Sequence, residues 1–153
     1  MAETFSPIDI DNQPDKIPIE PGFFTIPLDD SEPPRLLGSR CCACGECFFP
    51  RRTVCAKCLH RHTEEIQLSP TGTLYTYTYV HFPLFGGGRS DKGYGVGQID
   101  LPEGPRVQSV LKGGPHDFRI GMPLVMELET LKKNEQGQEV VIFRFRPQEA
   151  ITP

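Results

Sequence analysis

Arg40-Cys41-Cys42-Ala43-Cys44-Gly45-Glu46-Cys47-Phe48-Phe49-Pro50-Arg51-Arg52-Thr53-Val54-Cys55-Ala56-Lys57-Cys58 holds all six cysteines of a 153-residue chain. Six cysteines confined to one short stretch predict metal ligands, since in a reducing compartment they stay as thiols and do not pair as disulfides. Two Cys-x-x-Cys pairs stand ten residues apart, Cys41 with Cys44 and Cys55 with Cys58. Each pair builds a knuckle whose backbone amides point at its sulfurs, and two facing knuckles complete a tetrahedral thiolate site. Gly45 supports the first knuckle, because the residue after the second ligand often needs positive φ. A second register would use Cys44 with Cys47 and leave Cys41 and Cys42 free, but Gly45 would then fall inside the knuckle. The expectation is one zinc ion held by Cys41, Cys44, Cys55 and Cys58; iron in a rubredoxin-like site suits the same sulfurs. Four thiolates saturate zinc and leave no position for water, so the site reads as structural. Cys42 then falls on the knuckle surface, Cys47 in a small apolar site, and His60 and His62 in an exposed turn.

Downstream the periodicity changes. Residues 73–81 alternate strictly, with Tyr75, Tyr77 and Tyr79 on one face and Leu74, Thr76, Thr78 and Val80 on the other, which predicts a strand. Residues 95–101, 106–111, 124–131 and 140–145 read as four more, separated by turns such as Pro102-Glu103-Gly104-Pro105 and Asn134-Glu135-Gln136-Gly137. Five short strands with no helical pattern between them fit an OB-fold barrel, with a sandwich fragment as the alternative. Phe143 and Phe145 alternate with Arg144 and Arg146, so an aromatic face should turn inward and a basic face outward.

Upstream, prolines at 7, 14, 18, 21, 27, 33 and 34 each remove an amide donor and disfavour helix in the residue before. This predicts an extended arm. Ile17-Pro18-Ile19 and Phe23-Phe24-Thr25-Ile26 are too apolar for a free linker, so the arm should lie across its own domain or a partner. Burial of Phe23 and Phe24 decides between the two. The expected organisation is all-β: an acidic arm over 1–35, a rubredoxin-like zinc ribbon over 36–66 and a five-stranded OB-fold barrel over 67–153.

Composition agrees with short strands and a modest core: 37% of residues are hydrophobic, and 15 glycines and 16 prolines are spread along the chain. No apolar run approaches the roughly 20 residues that cross a bilayer. Met1-Ala2-Glu3-Thr4-Phe5 lacks the basic and apolar regions of a secretory signal, so a cytoplasmic chain with no membrane partner is expected. Net charge is −4, unevenly distributed: residues 1–34 hold eight acids and one base, and residues 35–61 hold six bases and one acid. A basic ribbon favours an anionic partner, unless its charges only solvate the surface and offset the thiolates.

Leu36-Leu37-Gly38-Ser39-Arg40-Cys41-x-x-Cys44-Gly45, then Phe48-Phe49-Pro50-Arg51 and Cys55-x-x-Cys58, resembles a family of zinc-ribbon plus OB-fold proteins. That family, a domain of unknown function, accompanies thiolases and related acyl-CoA condensing enzymes. Gly121-Met122-Pro123 and Phe143-Arg144-Phe145-Arg146-Pro147 match its barrel, and the likeness spans about residues 35–150. Where the family usually has Pro-Pro-Arg, this chain has Pro50-Arg51-Arg52. The resemblance implies a non-catalytic subunit that docks on a thiolase-like catalytic subunit and helps bind or enclose acyl-CoA, a coenzyme A thioester.

Read without that resemblance, the chain has no nucleophile elbow, phosphate loop or paired acid and base at informative spacing, so no catalysis by this chain alone is expected. The loop over 81–94 is the candidate contact with coenzyme A. Phe82 to Phe85 form an apolar wedge, Gly86-Gly87-Gly88 a hinge, and Arg89 and Lys92 supply charge for phosphates; the candidate contacts are Phe85, Arg89 and Lys92. The plainer reading of that loop is a hairpin tip with solvated charges. The competing function is a free-standing single-stranded nucleic-acid binder that stacks bases on Tyr75, Tyr77 and Tyr79. The net charge of −4 opposes phosphate binding beyond the ribbon, so nucleic acid is not the expected partner.

Overall fold

The computed structural model describes residues 15–81 and 93–148. Every regular element among them is a strand: β1 (Lys16–Pro18), β2 (Leu37–Cys41), β3 (Cys47–Phe48), β4 (Thr63–Gln67), β5 (Thr71–Val80), β6 (Tyr94–Asp100), β7 (Arg106–Leu111), β8 (Pro123–Lys133) and β9 (Glu139–Pro147). No helix among the described residues is long and apolar enough to cross a membrane.

The last five strands close into a barrel in the order β5-β6-β7-β9-β8, with β8 returning to β5. All pairings in that ring are antiparallel except β7 with β9, which is parallel through Leu111 and Phe145. This is the Greek-key ring of an OB fold. Alternation drives it: along β6 every second residue, Gly95, Gly97 and Ile99, is buried, and Ile99 joins Leu74, Val107, Leu111, Leu124, Met126, Val141 and Phe145 in one core. Fully burying each of these large side chains is worth about 1.5–3 kcal/mol. Gly95 and Gly97 let β6 close on that core. A Cβ at Gly95 would stand 2.9 Å from Phe118 Cε2, and one at Gly97 2.8 Å from Leu111 Cδ1. Phe118 is buried in the same core, and its carbonyl accepts a bond from the Tyr77 hydroxyl at 3.1 Å.

One expectation needs correction. The strict alternation of β5 is broken by a bulge between Leu74 and Thr76, which pair with Ile99 and Gln98. The extra residue, Tyr75, shifts the phase by one, so Leu74 points inward before the bulge and Tyr77 and Tyr79 pack on the core after it. Tyr75 is left outside, under the Arg106 guanidinium at 3.3 Å from its ring centre. The three tyrosines therefore do not share one face: Tyr77 and Tyr79 face inward and Tyr75 outward. The outward basic face of β9 is also met by carboxylates of β8: Arg144 lies 2.7 Å from Glu127 and 3.1 Å from Glu129, and Arg146 lies 3.2 Å from Glu127.

Residues 15–35 of the arm lie on their own domain, and residues 1–14 lie outside the described residues. β1 adds in parallel to β9, and Phe24 is buried, with a bridge to Leu36. Four phenylalanines then join the three parts edge to face. Phe23 of the arm meets Phe49 of the ribbon at 6.2 Å, Phe49 meets Phe143 of the barrel at 6.1 Å, and Phe143 meets Phe24 at 5.8 Å. The ribbon itself is a small sheet in the order β3-β2-β4, fused to the barrel core through Leu36 and Leu68.

Candidate metal centre

Two loops project from the ribbon sheet, and they follow one backbone path. In the first, the Cys41 amide donates to the Glu46 carbonyl at 2.9 Å and the Gly45 amide to the Cys41 carbonyl at 3.0 Å. In the second, the Cys55 amide donates to the His60 carbonyl and the Leu59 amide to the Cys55 carbonyl, both at 2.9 Å. Each path needs a left-handed residue after its second cysteine, and these are Gly45 at φ 77° and Leu59 at φ 65°. Gly45 was legible in the sequence. Leu59 was not, although it stands where Gly45 stands, directly after a Cys-x-x-Cys pair.

These loops bring together Cys41, Cys44, Cys55 and Cys58, whose sulfurs all lie within 4.8 Å of one another. Cys41 and Cys58 are 3.6 Å apart, as are Cys44 and Cys55. Sulfurs at the corners of a tetrahedron, each about 2.3 Å from a zinc ion, would be separated by about 3.8 Å. The quartet fits such an ion. Amides already point at it: Ala43 N–H at Cys41 Sγ, and Lys57 and Cys58 N–H at Cys55 Sγ, each at 3.4 Å. Cys41 and Cys55 are buried, whereas Cys44 and Cys58 face solvent.

The electrostatics point the same way. The Cys44 amide, joined by the Ala43 amide and the neighbouring thiols, holds the Cys41 thiol down at about 6 against the effect of burial. At Cys58 the His60 amide pulls downward, but burial and the sulfurs of Cys41, Cys55 and Cys44 push it up to about 12. Four sulfurs this close cannot all ionise by themselves; a divalent cation at their centre removes the conflict.

Cys47 lies outside the quartet, buried, with its thiol 3.7 Å from the Gly45 carbonyl. Cys42 is exposed on the first knuckle, and the exposed rings of His60 and His62, just after Cys58 in sequence, stand 5.3 Å apart and outside the cluster. Around the centre Lys57 pairs with Glu46 at 3.3 Å and Arg40 with Glu64 at 3.9 Å. Both are exposed pairs, screened by solvent, and contribute little to stability. Phe85, Arg89 and Lys92 lie outside the described residues.

A model of the ChsH2 C-terminal OB-fold domain matches residues 65–129. The benzoylsuccinyl-CoA thiolase subunit BbsA of Thauera aromatica is 30% identical over 136 residues, which cover 89% of this chain and 92% of that one. A DUF35 domain-containing scaffold protein of Methanocaldococcus jannaschii is 35% identical over 117 residues, covering 73% of this chain and 81% of its own. Among solved structures, one described as Ltp2-ChsH2(DUF35) aldolase superposes with a TM-score of 0.61 at 28% identity, over 74% of this chain and 84% of that one. With a five-stranded OB barrel behind a two-knuckle ribbon, and relatives of this kind matched along most of its length, the chain belongs to the DUF35 family with a ChsH2-type OB fold.

Proposed function

We propose that this chain is a non-catalytic, zinc-binding subunit of a thiolase-type acyl-CoA acyltransferase complex. It docks on a catalytic subunit and helps bind or enclose the acyl-CoA. The observation that carries the reading is the match to a thiolase subunit, which runs nearly end to end in both chains. The name of the same relative supports benzoylsuccinyl-CoA as the substrate of the complex; we further read that complex as cytoplasmic, within anaerobic toluene breakdown.

Zinc suits four thiolates, and when bound it supplies the positive charge that lets them converge. The chain's own residues do the rest. The Ala43, Lys57 and Cys58 amides orient the sulfurs, and Gly45 and Leu59 turn the backbone so that both pairs face one centre. With four protein ligands the sphere is full, so the centre shapes a surface and the partner performs the chemistry. In the stretch of sequence between β5 and β6, Phe85 is assigned to the acyl-CoA and Arg89 and Lys92 to its phosphates.

The test is co-expression with a thiolase-like protein encoded beside this chain. The two should co-elute, and thiolysis of an acyl-CoA should require the catalytic partner. Thiolysis by the isolated chain would overturn the reading. Within the complex, changing Arg89 and Lys92 together to alanine should raise KM for acyl-CoA about tenfold with little change in kcat, as loss of two phosphate contacts predicts; an unaltered KM would remove these residues from the site.

A further inference from the structure

We propose that Cys42, His60 and His62 form a second metal site on the ribbon, separate from the quartet and open to solvent, which takes up a borderline divalent ion of the zinc class. The backbone brings the three residues together. Cys41 pairs with Thr63 in the antiparallel ladder of β2 and β4, and the Cys42 amide carries that ladder one step further by donating to the His62 carbonyl at 3.0 Å. Residues opposite one another in such a ladder put their side chains on one side, with Cβ atoms about 4.5–5.5 Å apart. The Cys42 thiol and the His62 ring therefore share a face, the one that alternation sets opposite to Cys41. His60 joins them through its ring, whose centre stands 5.3 Å from that of His62. Its carbonyl accepts the Cys55 amide at 2.9 Å, so the two imidazoles are anchored one to each knuckle. All three side chains are exposed, and none makes a side-chain hydrogen bond or ion pair among the described residues.

The donor set says which ion. Zinc accepts both thiolate and imidazole, at about 2.3 Å to sulfur and about 2.0–2.1 Å to nitrogen. Imidazole alone would suit nickel and copper as well, and the thiolate narrows the choice. The quartet is the group of described residues whose donor atoms already lie within 4.8 Å of one another. The trio instead closes by rotation of exposed side chains about their χ angles. That rotation costs side-chain entropy, and only three protein donors are present, so the second site binds more weakly than the quartet and keeps one position for an outside ligand. A chain purified without added metal therefore holds one ion and takes up another only on titration. Local charge admits a cation. Arg40, on the same face as Cys42, is met by Glu64 at 3.9 Å, and a zinc-loaded quartet places a net charge of −2 next to Cys42. Arg61, exposed between the two histidines, opposes the ion, but solvent screens it.

The experiment titrates zinc into the full-length chain already holding one ion, in a phosphine reductant, and follows uptake by native mass spectrometry and calorimetry. In parallel, the rate at which iodoacetamide alkylates Cys42 is measured by peptide mapping. A second equivalent should bind more weakly than the first and slow the alkylation of Cys42, because a metal-bound thiolate is a poorer nucleophile than a free one. His60→Ala and His62→Ala should each weaken the second ion by at least the roughly tenfold to hundredfold that losing a supporting partner costs a metal site, with the first ion and the thermal midpoint unchanged. Should either alanine variant lose the first ion, His60→Gln and His62→Gln take its place, and the alkylation rate of the unaltered chain tests the site without any substitution. No uptake beyond the first ion would overturn the inference, as would a Cys42 alkylation rate that added zinc leaves unchanged. A second ion bound equally well when both histidines are replaced would be an adventitious ion only and would overturn it too. The docking role proposed above does not depend on any of these results.

Discussion

The ribbon and the barrel are held by different forces. From residue 42 to 62 only Cys47 and Cys55 are buried, so this stretch has almost no apolar interior of its own. The barrel buries Leu74, Ile99, Val107, Leu111, Leu124, Val141 and Phe145 almost completely. A small module of this kind cannot repay its ordering entropy by hydrophobic burial, and a metal cross-link is the usual substitute. The comparison teaches that one chain contains two kinds of stability, and that each should fail under a different insult.

The largest effect should come from removing the metal. Structural zinc in isolated ribbons contributes apparent binding free energies of about 10–16 kcal/mol. Chelation should therefore abolish hydrogen-exchange protection at the amides of Cys41 and Cys55 while the amides of β6 and β7 stay protected; equal loss in both would mean a single cooperative unit. Next in size is Phe145→Ala. It should cost about 3–5 kcal/mol in denaturant titration, by loss of a fully buried ring, yet leave metal content at its original value. Smaller, and opposite in sign at equivalent positions, are the knuckle turns. Gly45→Ala should destabilise by about 1 kcal/mol, whereas Leu59→Gly should stabilise by a similar amount, because only the glycine matches a left-handed backbone. The smallest change should follow Arg106→Ala, which removes an exposed pair with Asp100 at 2.6 Å and the contact with Tyr75. Little change in the denaturation midpoint is expected, and a cost approaching that of Phe145→Ala would show that the outer wall contributes as much as the core.

What could be read in the sequence follows the same division. Cysteine spacing displays the quartet because ligand geometry demands fixed intervals, and Gly45 marks the turn that its knuckle requires. The five barrel strands were legible from alternation, with ends shifted by no more than two residues. The bulge at Tyr75 was not, since one inserted residue leaves the alternating pattern of letters intact while reversing which face they occupy. β1 was hidden for another reason: it is three residues long and ends in a proline, and it exists only because β9 offers it an edge. Leu59 escaped because residue preference gives no hint of positive φ for leucine; only the repeat of the first knuckle's spacing marks the position. The joining role of Phe23, Phe24, Phe49 and Phe143 is a property of tertiary contact, and the sequence shows it only as apolar pairs too greasy for a linker.

The metal content of the protein as purified, without chelator or added salts, tests the central claim most directly. Native mass spectrometry together with elemental analysis should find one zinc ion per chain in a colourless protein, falling to none in Cys41→Ser and Cys55→Ser. A folded ribbon with no metal, or a bound ion completed by water or substrate in place of a fourth sulfur, would contradict the account.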